Sequence, residues 1–382
     1  MHIAFLTSEY PHDKVKHAAG IGTSIKNLAA ALAKEKISVS IFVYGQNTDE
    51  VFIENNIKIH LIKSGKKRFG AWYFYRKQLQ NYINKFIVSD IIDVVEAPDW
   101  TGITAFMNLK APLAIRLHGS DAYFCHLENR QQKVKNYWFE KLALSKASAF
   151  VSPTDFAGNL TKKIFSIKKE IQTIPNGIDL ENFHNSEPQS FEKGLILYIG
   201  TIIRKKGVLE FPKIMDEVLA KHPDAKLLLI GSDSFDIKTQ SASTWKLIEN
   251  SLNDKTRGKI EYIGKVPYAS VQDYIKKANV CVFPSFAETQ GMVTIEAMAL
   301  QKAVVNSDFG WAQELIVDGE SGFLANPSDH FKFSEKIIAL LEDSQLCIRI
   351  GENASKRAAQ KFDIAKIASQ NIEFYRTLTP NI

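Results

Sequence analysis

The sequence predicts an α/β protein built on two doubly wound parallel sheets. Three observations carry that expectation. Short apolar runs alternate with amphipathic stretches through both halves of the 382 residues, the pattern of parallel strands joined by crossover helices. The chain opens on strand, glycine turn, helix and strand, which is a βαβ unit, and a second series of the same kind starts at Leu195. A polar stretch, Glu181 to Lys193, separates the two series. The domains expected are therefore 1–180, 190–362 and a C-terminal helix, 363–382, that packs back on the first.

Composition narrows the class. A chain of this length can bury two proper cores. Apolar content of 45% and charged content of 24% are ordinary for a soluble globular protein. The net charge of +6 does not call for nucleic acid as a partner. Cys125, Cys281 and Cys347 lie far apart, are odd in number and fit neither a disulfide framework nor a zinc spacing. The first apolar run is too short for a signal peptide, and none approaches the length of a membrane span. A cytoplasmic protein is expected, at most peripheral on the inner face of a membrane.

Taken in order, Ile3 to Thr7 reads as a buried parallel strand, followed by a turn at Gly20 and Gly22, a helix to about Lys36 and a strand at Val39 to Val43. From Asn55 to Ser89 there are eight basic residues and no acidic one. Within it, Lys66 to Lys77 interleaves cations with Phe69, Trp72, Tyr73, Phe74 and Tyr75. Such a run suits either a membrane-surface or acceptor-binding helix or a solvated helix packed by its aromatics. Strands are expected at Ile91 to Glu96 and Leu113 to Leu117. The second exits into His118-Gly119-Ser120-Asp121, and ligands of open α/β sheets bind just past such carboxyl ends. Ala149 to Ser152 and Ile171 to Ile174 follow, the latter entering the turn Pro175-Asn176-Gly177-Ile178-Asp179, where Gly177 can take positive φ.

In the second half, Leu195 to Ile199 runs into Gly200 and then Arg204-Lys205-Lys206-Gly207, three cations ahead of a helix, which point at an anion. Ala225 to Ile230 ends at Gly231, and Ile260 to Gly264 leads to Val266-Pro267. Val280 to Phe283 feeds the most informative stretch, Pro284 to Leu300, and Ala303 to Val305 follows it. From Gly291 onward Met292, Val293, Ile295, Ala297, Met298, Ala299 and Leu300 make a helix apolar on nearly every side, hence buried. Glu296 is a carboxylate inside it, where carboxylates are rarely left unpaired. Either it pairs with a buried Arg or Lys, or it accepts hydrogen bonds from a diol. The helix starts at a glycine, so its free N–H groups and positive dipole end are open to a phosphate. Phosphate and diol together describe a nucleoside diphosphate. The last helix is expected from about Ile364 to Leu378.

Glu288 and Glu296, eight positions apart with a glycine between them, resemble the E-x7-E motif of the retaining glycosyltransferases of family 4. His118-Gly119-Ser120-Asp121 and Pro175-Asn176-Gly177-Ile178-Asp179 are also similar to that family, as is Asp318 to Leu324. At Gly20 and Gly22 the family's usual glycine pair is reduced, Ala19 standing for its first member. The resemblance implies the GT-B fold, two Rossmann-like domains facing each other across a cleft that holds a nucleotide sugar. It further implies that Glu296 holds the ribose, that Glu288 and His118 meet the sugar, and that Lys206 with Arg204 or Lys205 holds the diphosphate. Donor contacts are implied at Gly20, Gly22, Gly200, Gly231, Val266, Thr289, Gly291, Met292 and Val293. The acceptor would be a glycan or lipid-linked hydroxyl, and the anomeric configuration would be retained. No D-x-D pair stands at a strand end, so no metal and no cofactor are expected. Two other readings share the site: a sugar-nucleotide epimerase or phosphorylase, and a non-catalytic nucleotide-sugar-binding subunit.

Overall fold

Runs that bury nearly every residue become the strands. In the computed structural model, which describes residues 1–65 and 70–379, β1 (His2–Thr7), β2 (Ser38–Gln46), β3 (Glu50–Glu54), β4 (Ile57–Lys63), β5 (Val94–Pro98), β6 (Leu113–Arg116), β7 (Ala149–Ser152) and β8 (Ile171–Thr173) form one sheet, ordered β3-β4-β2-β1-β5-β6-β7-β8. All pairings in it are parallel except β3 with β4. The second sheet contains β9 (Leu195–Ile199), β10 (Lys226–Ile230), β11 (Ile260–Gly264), β12 (Val280–Phe283), β13 (Ala303–Ser307) and β14 (Phe323–Ala325), ordered β11-β10-β9-β12-β13-β14. That is the doubly wound order, with the strand order reversing between β9 and β12; in the first sheet it reverses between β1 and β5. The chain divides into two compact units, Met1–Asp179 together with Asp363–Ile382, and Leu180–Phe362.

In the first unit, side-chain alternation along β1 builds two cores. Ile3 and Phe5 face the helices Gly20–Lys34 and Ile364–Arg376, with Leu28, Leu32, Ile41, Ile367 and Tyr375. Ala4 and Leu6 face the opposite way, toward Leu79 and Ile83 of the helix Ala71–Ser89. A buried polar network also fastens the last helix. Arg116 donates twice to Glu96, at 2.7 and 2.9 Å, the Tyr375 hydroxyl donates to the same carboxylate at 2.7 Å, and Asn371 accepts from Arg116. In the second unit, residues 181–193 are tied to the core. The Asn185 amide donates to the Leu300 carbonyl, the Gln272 amide to the Asn182 carbonyl and the Glu192 N–H to the Lys277 carbonyl.

Several local expectations change. The strand expected from Ile91 starts at Val94, because Ile91 sits at φ 51°, exposed, in the turn after a helix. Gly177 is absent from the positive-φ positions of the described residues. Its glycine is required by packing instead: a Cβ there would lie 2.9 Å from the Ile364 backbone, where the last helix begins. The β3–β4 hairpin was not expected, although Asn55-Asn56 carries its signature. Both residues take positive φ, as a two-residue type I′ turn requires. Lys66, Lys67, Arg68 and Phe69 of the basic aromatic run lie outside the described residues. All three cysteines are buried thiols, and among the described residues no helix is long and apolar enough to cross a membrane.

Candidate active site

Two loops leave the second sheet where its strand order reverses, one after β9 and one after β12, and backbone contacts fasten them together. The Phe286 N–H donates to the Lys205 carbonyl at 2.8 Å. Gly207, at φ 70°, has no room for a side chain, since a Cβ would fall 1.8 Å from the Pro284 carbonyl oxygen. From the far side, the Ser307 hydroxyl at the end of β13 donates to the Ser285 carbonyl. This fastening brings the Lys206 ammonium onto the Glu288 carboxylate, an ion pair in which both side chains are mostly shielded from solvent. The Ser285 hydroxyl donates to the same carboxylate at 3.3 Å.

The strand-end glycines are placed by close approach. A Cβ on Gly231 would lie 1.9 Å from the Gly200 carbonyl oxygen, and one on Gly200 would lie 2.7 Å from the Tyr198 hydroxyl. The Gly231 N–H donates to the Gly264 carbonyl, so the ends of β9, β10 and β11 lie side by side. Val266 follows, half-buried.

Gly291 caps the helix Met292–Ala299 from the left-handed region, φ 88°, with no side chain bonded across the cap. Its glycine answers to backbone conformation, since a Cβ would meet nothing nearer than 3.5 Å. Thr289, Met292 and Val293 are half-buried around this start. Glu296 is on the same helix, 5% exposed. No cation lies within ion-pair distance of it among the described residues; its partner is the Tyr268 hydroxyl, which donates at 2.8 Å. Burial pushes the Glu296 carboxyl up to about 7, against the lowering effect of that hydrogen bond.

Arg204 and Lys206 share a 3-10 turn but point to different anions. Both guanidinium bonds of Arg204 go to Asp236, each 2.8 Å. Asp236 is buried, accepts from Thr239 as well, and its carboxyl is held far below the usual range by the Arg204 hydrogen bonds. Lys205 contributes its carbonyl to the loop contact described above.

His118 stands in the first unit, past the end of β6. Its backbone N–H donates to Asp99 at 2.9 Å. The surrounding chain desolvates its imidazole and, with Arg116 adding repulsion, pushes it down to about 3, so the ring is neutral at physiological pH. Asp99 is fully buried; burial and the nearby Glu140 raise its carboxyl to about 8, and its Oδ2 has no hydrogen-bond partner among the described residues. Glu140 accepts from the N–H groups of Asp121 and Ala122 and from Gln132, fixing the helix that starts after His118. In the same unit Gly22 lies 2.8 Å, by its virtual Cβ, from the Glu9 carbonyl and donates its N–H to the Glu9 carboxylate, whereas Gly20 is uncrowded.

Thus Lys206 and Glu288 touch, Glu296 lies on the helix that follows them, and Arg204 is engaged elsewhere. Tyr268 beside Glu296 and Asp236 beside Arg204 in the second unit, and Asp99 and Glu140 near His118 in the first, were not anticipated. Each is recognised only through a partner far away in sequence, so no local spacing could mark it. Asp99, directly after a strand, carried the one positional signal.

Two family models match the chain: Glycosyltransferase Family 4 over residues 18–182 and Glycosyl transferases group 1 over residues 179–357. An uncharacterized glycosyltransferase of Methanocaldococcus jannaschii is 26% identical over 369 residues, 95% of this chain and 96% of that protein. The capsular polysaccharide biosynthesis glycosyltransferase CapM of Staphylococcus aureus is 30% identical over 213 residues, 53% of each. Among solved structures, sucrose-phosphate synthase of Thermosynechococcus elongatus superposes with a TM-score of 0.83 at 21% identity, covering 100% of both chains. Anabaena HepE in complex with UDP-glucose superposes with a TM-score of 0.74 at 18% identity, covering 99% of this chain and 100% of that one.

Proposed function

The chain is a glycosyltransferase of family 4 with the GT-B fold, and on that premise we propose that it transfers a hexose from a nucleotide-diphosphate sugar, with UDP-sugar favoured, to a hydroxyl of a glycan or lipid-linked acceptor, retaining the anomeric configuration. One observation carries the reading: at the strand-order reversal of the second sheet, a shielded ammonium, a carboxylate and an open helix start are followed on that helix by a buried carboxylate with no cation partner among the described residues. Lys206 and the N–H groups after Gly291 suit a diphosphate. Glu296, bonded only through a tyrosine hydroxyl in the contacts above, suits a ribose diol. As the glycosidic bond breaks, negative charge grows on the departing diphosphate, and a fixed donor there is worth on the order of 3 kcal/mol in the transition state. His118, with a neutral imidazole, can donate one hydrogen bond and accept another, which suits a sugar hydroxyl. The acceptor hydroxyl then attacks from the face the diphosphate leaves.

We assign the charge stabilisation to these protein groups rather than to a divalent ion, on the placement of Lys206 and the lack of a D-x-D pair in the sequence. A transfer assay in EDTA with UDP-, GDP- and ADP-sugars tests both parts of the proposal. Turnover should persist, and proton coupling at the new anomeric centre should show the donor's configuration. Activity abolished by EDTA and restored by Mg²⁺ or Mn²⁺ contradicts the metal-free part, and an inverted product contradicts retention.

A further inference from the structure

We propose that Glu288 makes the site prefer the sugar donor over the bare nucleoside diphosphate that remains after transfer, because its carboxylate holds the same ammonium that a diphosphate must use. This rests on the reading of Lys206 as a diphosphate ligand. The Lys206–Glu288 pair is 21% and 13% exposed at its two side chains, so water screens it less than a surface pair. The rigid fastening of the two loops, by the Phe286 N–H on the Lys205 carbonyl and by Gly207 against Pro284, keeps the partners in register.

An ammonium has three N–H donors and could touch a carboxylate and a phosphate at once. Two anions on one nitrogen, however, lie within a few ångströms of each other and repel. A bare diphosphate therefore binds at a cost: either Glu288 stays and repels it, or Glu288 gives up its ion pair with Lys206. A nucleotide sugar brings the same phosphates together with hydroxyl groups, and a carboxylate displaced from Lys206 can accept hydrogen bonds from them. The donor recovers what the product cannot, so the product is bound less tightly and leaves more readily.

The test is a double-substitution cycle read by calorimetric titration. The probe is whichever of UDP, GDP and ADP most raises the melting temperature of the native protein. Glu288→Gln removes the charge and keeps the shape. We expect the dissociation constant for the bare diphosphate to fall about tenfold, one hydrogen bond to a charged group being of that order. It should not fall for whichever of UDP-glucose, GDP-mannose and ADP-glucose the enzyme turns over. In a Lys206→Met background the same substitution should change diphosphate affinity less than about twofold. Unchanged or weaker diphosphate binding in Glu288→Gln overturns the proposal. So does equal tightening with and without Lys206, which would mean a general charge effect, and so does equal tightening toward the nucleotide sugar. If no diphosphate binds, or binding ignores Lys206, the reading of the site fails and this inference fails with it. Melting curves of each variant identify any loss of fold.

Discussion

A single carboxylate shows how burial sets chemistry. Glu296 is surrounded by apolar helix neighbours and bonded to one tyrosine, so its charged form is costly and its carboxyl rises to about 7 from an ordinary 4.5. Below about pH 4.5 the group is neutral in folded and unfolded chains alike and costs nothing. Between 4.5 and 7 the unfolded chain releases the proton that the folded chain keeps, so stability falls as pH rises. Above 7 the cost is constant. Glu296→Gln removes the titration and keeps the shape. Its melting temperature should therefore gain on the native protein as pH rises from 4.5 to 7 and hold the gain above that; a gap independent of pH would mean Glu296 is solvated, and a variant that loses ground as pH rises would mean it is ion-paired. At this scale the sequence was informative where types and spacing coincide. Glu288, Gly291 and Glu296 lie within one short stretch, and the helix that buries the last was visible in its apolar composition. Tyr268 and Asp236 were not legible, because hydrogen-bond partners 28 and 32 residues away leave no local trace.

At the scale of elements, the helices Ala71–Ser89 and Val134–Ser145 meet through aromatic rings. Trp72 packs on Phe139 at 4.9 Å and Phe106 at 5.4 Å, and Lys135 lies over both Trp72 and Phe139. Lys141 lies over Trp138, which is 57% exposed. Exposed Trp72, Tyr73, Phe74, Val134 and Trp138 ringed by lysines are the composition of a membrane-surface contact, and we propose anionic lipid as its partner, consistent with a lipid-linked acceptor. The protein should float with vesicles containing anionic lipid and detach as salt rises, and Trp138→Ser with Lys135→Glu should weaken that binding. Absence of salt-sensitive flotation leaves only a packed, solvated pair of helices. The first of these helices was legible from its cations and rings. The second was not, because Trp138 and Lys135 gain meaning only beside Trp72. The β3–β4 hairpin has one local signal, Asn55-Asn56 between two apolar runs, and it sits at the edge of the basic stretch.

At the scale of the whole molecule, strand–helix alternation was enough to give two doubly wound sheets, because parallel strands need crossovers and those crossovers are the amphipathic stretches. The order of strands within each sheet was not legible. That order matters, since its reversal between β9 and β12 puts the Lys206 and Glu288 loops side by side. The return of the last helix to the first unit was expected, but its buried fastening through Arg116, Glu96 and Tyr375 joins residues up to 279 positions apart.

On the reading proposed above, the loops after β9 and β12, with the helix from Met292, bind a nucleoside diphosphate. Calorimetric titration of UDP, GDP and ADP into the native protein, Lys206→Ala and Glu296→Gln, with melting temperatures alongside, tests it most directly. One diphosphate should bind the native protein. Either substitution should weaken it about tenfold or more, since each removes a hydrogen bond to a charged group worth about 1.5–3 kcal/mol, while the variants still fold. A Glu296→Gln protein that unfolds early yet binds the diphosphate as tightly as the native one would show that the buried glutamate is a structural partner of Tyr268 and not a ligand of the nucleotide.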